Sequence, residues 1–285
     1  MRLIGLLARQ KLGETFSFTR SSKDVGSVVT LKFSLLDKVD FGSNLVCLLL
    51  REEEPAGAGG GRLFLVFPYF NPRGPLEFVF SGLKFGSEGI EDNRNASLLG
   101  FAKEIVKNEV VVKRLKEHGN RDIVLTGFSM GGALSNLVAY ELIENEGCLS
   151  DVTVIAFGNA KPGNAKFSEW FGTHLNGDSK NILAVKAEGD DLLIDPVGLT
   201  PNFEKGFDHH PSLYLLREGG DLGAATGGEK DLLKQKAAEQ SEKKSVGLMT
   251  FSNLTSSLFG KGKDPSQKAY DALHQVLTYY EFTVV

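Results

Sequence analysis

The hydrophobic residues change their spacing along the chain, and that change organises it. Near the N-terminus they form short runs, Thr15–Thr19, Val28–Leu36, Leu45–Leu50 and Leu63–Phe67, with the length and β-prone content of strands. The last two are joined by REEEPAGAGGGR, which reads as a polar, flexible hairpin loop. From Ser97 to His118, Leu98, Phe101, Ala102, Ile105, Val111, Val112 and Leu115 recur at helical spacing. This predicts one amphipathic helix, stopped by Gly119. Ile123, Val124 and Leu125 then form a strand without alternation, the pattern of a parallel sheet covered on both faces. A helix from Gly131 to Glu144, a strand at Val152–Phe157, a short helix at Phe167–Phe171 and a strand at Ile182–Ala187 follow. Such alternation predicts an α/β fold with a central parallel sheet, right-handed crossovers and helices on both faces.

Beyond Leu216 the apolar pattern weakens. EGGDLGAATGGEKDLLKQKAAEQSEKKSVG has few large apolar groups and predicts a mobile excursion with a solvated helix at Asp231–Lys244, within a flexible insertion over 218–262. Asp264–Pro265 is an N-cap followed by proline at the first helical position. The helix it opens places Ala269, Leu273, Val276 and Tyr280 on one face. No internal repeat is present, and 285 residues suffice for one domain with a core that needs neither disulfides nor metal.

Composition narrows the function classes. With 32 Lys+Arg against 36 Asp+Glu, a formal charge of −4 and no long basic run, nucleic-acid binding is disfavoured. The longest apolar runs fall far short of the ~20 residues of a membrane-spanning helix. MRLIGLLARQK regains charge at Arg9 and Lys11, too early for a signal-peptide core, so an intracellular location is expected. Cys47 and Cys148 form no metal or redox motif and read as reduced thiols. Glycine alone is unusual, at 33 of 285 residues against a usual ~7%. The glycines at 57–61 and 219–228 read as flexible connections that tolerate alanine. Gly57–Gly61 leads into a strand rather than a helix, which excludes a phosphate cradle.

The candidate chemistry lies in Thr126-Gly127-Phe128-Ser129-Met130-Gly131-Gly132-Ala133, between a buried strand and a helix. A serine at such a turn adopts a strained backbone that pushes its hydroxyl outward. Gly127 and Gly131 are required because side chains there would collide. A serine hydroxyl needs a histidine base oriented by a carboxylate, in the chain order Ser, Asp or Glu, His. That order removes His118 and His174 and leaves His209, His210 and His274. The carboxylate belongs at the C-terminal end of a later parallel strand, and Ile182–Ala187 leads into Glu188-Gly189-Asp190-Asp191. Asp190 is the first choice and Asp191 the second; Asp195 lies further along the loop. His209 and His210 follow Asp208, but without metalloprotease spacing they do not make a metal site, and no metal or cofactor is expected.

Four segments resemble class 3, fungal-type, lipases. TGFSMGGALSNLVAYEL is similar to the family's T-G-H-S-L-G-G-A-L-A elbow, with Phe128 replacing its histidine and Met130 its leucine. IAFGNAKPGNAKF is similar to its F-G-x-P-x-V-G-N-x-x-F stretch, and AVKAEGDD to the stretch holding N-D-x-V-P. ALHQVLTYY resembles its C-terminal H-x-x-x-x-Y element. The resemblance implies an α/β-hydrolase fold and a serine ester hydrolase with Ser129 as nucleophile, Asp190 orienting the base and His274 as the base. It also implies a lipid or small acyl-ester substrate and transient contact with a membrane or lipid-droplet surface. One oxyanion donor would be the N–H of Met130. The family's second donor comes from an F-R-G-[ST] motif, where this chain has Phe67-Pro68-Tyr69-Phe70, leaving only the N–H of Phe70. PLEFVFSGLKF at Pro75–Phe85 stands where the family has a lid and equally fits a β-hairpin. The altered oxyanion loop and the charged excursion also fit a lipase-like interaction protein of low or no activity.

Overall fold

The structure, a computed structural model, describes residues 12–21, 28–42, 45–53, 61–68, 90–119, 122–145, 151–175, 179–188, 191–195, 197–199, 206–207, 212–218 and 220–245. In chain order these form strands β1 (Thr15–Ser21), β2 (Val28–Asp40), β3 (Val46–Glu53), β4 (Leu63–Phe67), β5 (Ile90–Glu91) and β6 (Arg94–Asn95), then helices α1 (Ala96–Lys107) and α2 (Glu109–His118). Strand β7 (Ile123–Phe128), helix α3 (Met130–Glu144), strand β8 (Val152–Phe157), helix α4 (Ala165–His174) and strands β9 (Lys180–Glu188) and β10 (Asp191–Ile194) follow. Strands β11 (Leu213–Leu216) and β12 (Leu222–Ala224) and helix α5 (Gly227–Ser245) complete the order.

A ten-stranded sheet runs β1-β2-β3-β4-β7-β8-β9-β11-β12, with β10 paired to β9. Strands β4, β7, β8, β9 and β11 are parallel; β1–β3 and β12 extend the two edges antiparallel. The expected α/β fold with a parallel central sheet is what the chain forms. Ile123, Val124 and Leu125 are buried, which explains the absence of alternation in β7. One sheet face packs Leu49, Leu65, Leu125, Val154 and Ala156 against Leu98, Ile105, Leu115, Leu134, Leu137 and Phe171 of the helices. No described helix residue joins the clusters on the opposite face, built on Leu35, Leu48 and Leu50 and on Phe128, Ile182 and Leu216.

The predicted helix over 97–118 is two helices. Asn108 has an extended backbone, φ −66° and ψ 127°, and its side chain accepts the N–H groups of Val110 and Val111. It is the N-cap of α2, and apolar spacing continuing through it hid the break. Gly119 ends α2 in the left-handed conformation, φ 75°, as expected of a C-terminal glycine.

Part of the glycine- and charge-rich stretch after Leu216 stays in the fold. β12 adds to the sheet edge, and α5 begins at Gly227 rather than Asp231 and buries Leu233 and Ala237 against Leu183, Leu213 and Leu215. Two apolar side chains among many polar ones are a weak sequence signal, but they lie one turn apart on one face. The helix starts at a capping box: Glu229 N–H donates to the Thr226 hydroxyl, and the Glu229 carboxylate accepts the Thr226 N–H at 2.8 Å. Burial pushes the Glu229 carboxyl upward in pKa, but the Thr226 N–H, Arg217 and the Thr226 hydroxyl outweigh it and hold it below its ordinary value. A depressed carboxylate contributes stability above its unfolded pKa and loses it as pH falls through the folded pKa. Thr226→Ala is therefore expected to cost about 1 kcal/mol at neutral pH. Urea denaturation should show this deficit shrinking as the pH drops below the carboxylate range.

Candidate active site

Ser129 sits between β7 and α3 with φ 59° and ψ −123°, a conformation that L residues rarely adopt. Neighbouring bonds hold it there. Its N–H donates to the Phe157 carbonyl at 2.9 Å, and its own carbonyl accepts from Gly132 and Ala133 at 3.1 and 3.3 Å. The glycines make the turn sterically possible. A Cβ on Gly127 would lie 2.3 Å from the Gly131 carbonyl oxygen, one on Gly131 2.2 Å from that of Phe67, and one on Gly132 2.6 Å from the Asn159 Cβ. Met130 is the first residue of α3, so its N–H is one that the helix cannot satisfy internally, at the positive end of the helix dipole. Strand, strained serine and helix N-terminus thus have the arrangement that the sequence predicts for a nucleophile elbow.

The wall beside the elbow is the end of β4. Phe67 is in register with Gly127, and its carbonyl fills the space a Gly131 side chain would need. β4 thus ends beside Gly127 and Gly131, the two glycines that flank Ser129. Phe70, expected as an oxyanion donor, and the 75–85 segment lie outside the described residues, as do Asp190, His209, His210 and His274.

The strand that leads to the candidate carboxylates, β9, ends at Glu188 and has an antiparallel partner after it. The chain turns back as β10, with Asp191 opposite Glu188 and Ile194 opposite Val185. Asp195 follows, fully buried, its N–H donating to the Ala184 carbonyl at 3.0 Å. Asn181 N–H points to β11 by donating to Ser212, whereas the Ile182 carbonyl points to β8 by accepting Gly158 N–H. By alternation the Ala184 carbonyl also points toward the β8 side. Asp195 consequently continues the column of β8, one position beyond Gly158. Ser129 follows β7, the neighbouring column of the sheet. Asp191 is instead at the hairpin end, three positions further along β9 than Val185. The expectation placed Asp195 last because the hairpin that brings it back to the sheet rim has no turn signature beyond Gly189.

Residues 95–192 match the family model of class 3 lipases. The matched stretch runs from the end of β6, just before α1, to the start of β10 and includes the elbow. A 37% identity over 83 residues links the chain to the chloroplastic phospholipase A1-Igamma2 of Arabidopsis thaliana, covering 24% of this chain and 16% of that protein's length. The fold is similar to that of lipase II from Rhizopus niveus, with a TM-score of 0.53 and 18% identity over 70% of this chain and 75% of that one. It is also similar to a triacylglycerol lipase described as having a serine protease triad, with a TM-score of 0.51 and 16% identity over 70% and 76% of the two chains.

Within the class 3 lipase segment, the F-G…G-N stretch has an architectural basis. Gly158 has φ 52°, and a Cβ on Gly163 would lie 2.3 Å from the Asn93 carbonyl oxygen and 2.7 Å from the Phe167 Cβ. Asn164 caps α4 by accepting the Phe167 N–H at 3.1 Å, while its amide donates to the Asn93 side chain at 2.8 Å. Arg94, on the same turn as Asn93, forms a buried ion pair with Glu141 of α3 and lies over the Tyr140 ring. The helix that follows Ser129 is thereby tied to the loop after β8. Three buried amides add a second tie: Asn136 and Asn159 both donate to the Asn181 side-chain carbonyl, at 2.8 and 2.9 Å, and Asn181 returns a bond to Asn136. Their apolar surroundings in the sequence gave no hint of them.

His174 stacks on Trp170 on the outer part of α4, and His118 ends α2. Cys47 is fully buried, and burial pushes its thiol pKa up, away from the reactive thiolate. No group of three or more His, Cys, Asp or Glu able to hold a metal occurs among the described residues. No described helix is long and apolar enough to cross a membrane.

Proposed function

We propose that the protein hydrolyses carboxylic esters, with acyl lipids as its substrate class, through nucleophilic attack by Ser129. The observation that carries this reading is the backbone of Ser129, held at positive φ between a parallel strand and a helix N-terminus. Such strain persists only where the surroundings enforce it. The family match over 95–192 and the phospholipase A1 relative support an acyl-lipid substrate. In this mechanism His274 takes the hydroxyl proton as Ser129 attacks the ester carbonyl, and the oxyanion is held by the N–H groups of Met130 and Phe70. The protonated imidazole then donates its proton to the leaving alcohol, and water releases the acyl-enzyme by the same steps. A carboxylate from the β9–β10 region keeps the imidazole in the right tautomer. The sequence motif favours Asp190, whereas the burial of Asp195 and its place beside the elbow column favour Asp195.

The interaction-protein reading is weaker on one count: a partner surface does not require a strained serine at a helix N-terminus. Purified protein is expected to react with a fluorophosphonate probe and to turn over p-nitrophenyl esters, and a lipid ester in micelles, with both activities absent in Ser129→Ala. Unlabelled protein without turnover, or labelling that persists in the variant, would overturn the assignment.

A further inference from the structure

Lys161 lies in the loop after β8, in the class 3 lipase segment, and its side chain is almost wholly buried. Burying an ammonium group is costly unless it is bonded and compensated. Its Nζ donates to the Leu199 carbonyl at 2.9 Å, across 38 positions of sequence. Leu199 closes a turn that Asp195 opens. The Asp195 carboxylate accepts the Val197 N–H at 3.0 Å, and its carbonyl accepts the Gly198 N–H at 3.1 Å. Gly198 is pressed onto Leu183, since a Cβ there would lie 2.5 Å from its Cδ1. The turn is therefore seated on the sheet and tied to the loop after β8 by one lysine.

Charge balance points the same way. Four charged side chains are buried among the described residues: Arg94, Glu141, Lys161 and Asp195. Arg94 and Glu141 pair with each other. Lys161 and Asp195, of opposite charge, stand at the two ends of this clamp.

We propose that Lys161 is a positioning residue that fixes the 195–199 turn and, through it, holds Asp195 as the carboxylate that orients the catalytic imidazole. This rests on the ester-hydrolase reading above. The clamp fixes the backbone that carries the Asp195 carboxylate. A shift of ~1 Å in such a group is enough to lower turnover by about 10²-fold.

The test is a double-mutant cycle on the full chain, read as kcat and KM for a p-nitrophenyl ester, with thermal denaturation as the folding control. Lys161→Met is expected to lower kcat about 10²-fold with KM within about twofold, and Lys161→Arg, which keeps a donor for the Leu199 carbonyl, to recover most of the loss. Asp195→Asn is expected to lower kcat about 10⁴-fold, well beyond the effect of Asp190→Asn. In the Asp195→Asn background, Lys161→Met should add little, because its effect is transmitted through that carboxylate. Should Lys161→Met be unfolded, the same cycle with Lys161→Gln decides. The inference is overturned if the lysine variant leaves kcat unchanged, if the two losses simply multiply, or if Asp190→Asn rather than Asp195→Asn removes activity. All three outcomes leave Ser129-dependent hydrolysis standing. An inactive parent would instead remove the ester-hydrolase reading and this inference with it.

Discussion

Ser129→Ala is expected to lower kcat for ester hydrolysis by about 10⁴-fold or more while leaving the protein folded. The residual rate would come from binding and the oxyanion donors, which do not depend on the hydroxyl. Folding should survive because alanine meets the same steric conditions as serine at φ 59°, and the backbone bonds from Phe157, Gly132 and Ala133 are untouched. The strain itself can be measured. Ser129→Gly removes the Cβ that disfavours this conformation and is expected to be more stable than Ser129→Ala by about 1–2 kcal/mol in denaturant titration. Equal stability of the two variants would mean that the elbow is not under strain in solution. Retained turnover in either would move the chemistry to another residue.

The second large effect is steric. Gly131→Ala would place a methyl group 2.2 Å from the Phe67 carbonyl oxygen, 3.1 Å from its carbon and 3.2 Å from its Cβ. These atoms belong to a strand paired on both sides, so they cannot retreat without breaking the register with β3 or β7. A loss of about 3 kcal/mol, seen as a fall of roughly 10 °C in Tm, is expected together with loss of fluorophosphonate labelling. Gly100→Ala, in the middle of α1 with nothing within 4 Å of the added Cβ, is the control. It should raise stability by about 0.5–1 kcal/mol. A Gly131→Ala protein as stable and as reactive as the parent would show that β4 does not abut the elbow.

The same measurement separates the remaining glycines in a way composition did not. The hairpin and excursion glycines read as tolerant connections, and Gly227 and Gly228 are indeed open to a Cβ. Gly61 is not: an added Cβ would sit 1.9 Å from the Glu52 carbonyl oxygen, because the backbone entering β4 runs close beside Glu52, whose N–H donates to the Arg62 carbonyl. Gly220 has φ 86°, at the turn between β11 and β12, and is also constrained. A glycine in a flexible-looking run is thus decided by the backbone across from it, which its neighbours in sequence do not specify.

The arrangement also explains why the family resemblance and the site do not coincide residue for residue. Gly163, Asn164 and Phe167 are legible as a motif, yet their role is to let Asn93 and α4 pack closely. Lys161, two positions before Gly163, carries a contact 38 positions away that no local pattern marks. Asp195 was visible as a carboxylate in the right part of the chain. Its standing relative to Asp190 depends on β10 folding back along β9.

Sequence by itself determined the parallel core of the sheet, the elbow at Ser129 and the need for Gly127 and Gly131. Those features are local: apolar runs, helical spacing and turn glycines act on neighbours a few residues away. Only the tertiary structure decided that the predicted single helix breaks at Asn108, that β12 and α5 rejoin the sheet, and that Asp195 comes to the β8 side of β9 while Lys161 reaches the Leu199 carbonyl. Each of these depends on which side chains are buried together and on hydrogen bonds between distant segments. Such contacts gain their energy only when the whole sheet has excluded water, so the residues that make them carry little mark of it in the sequence.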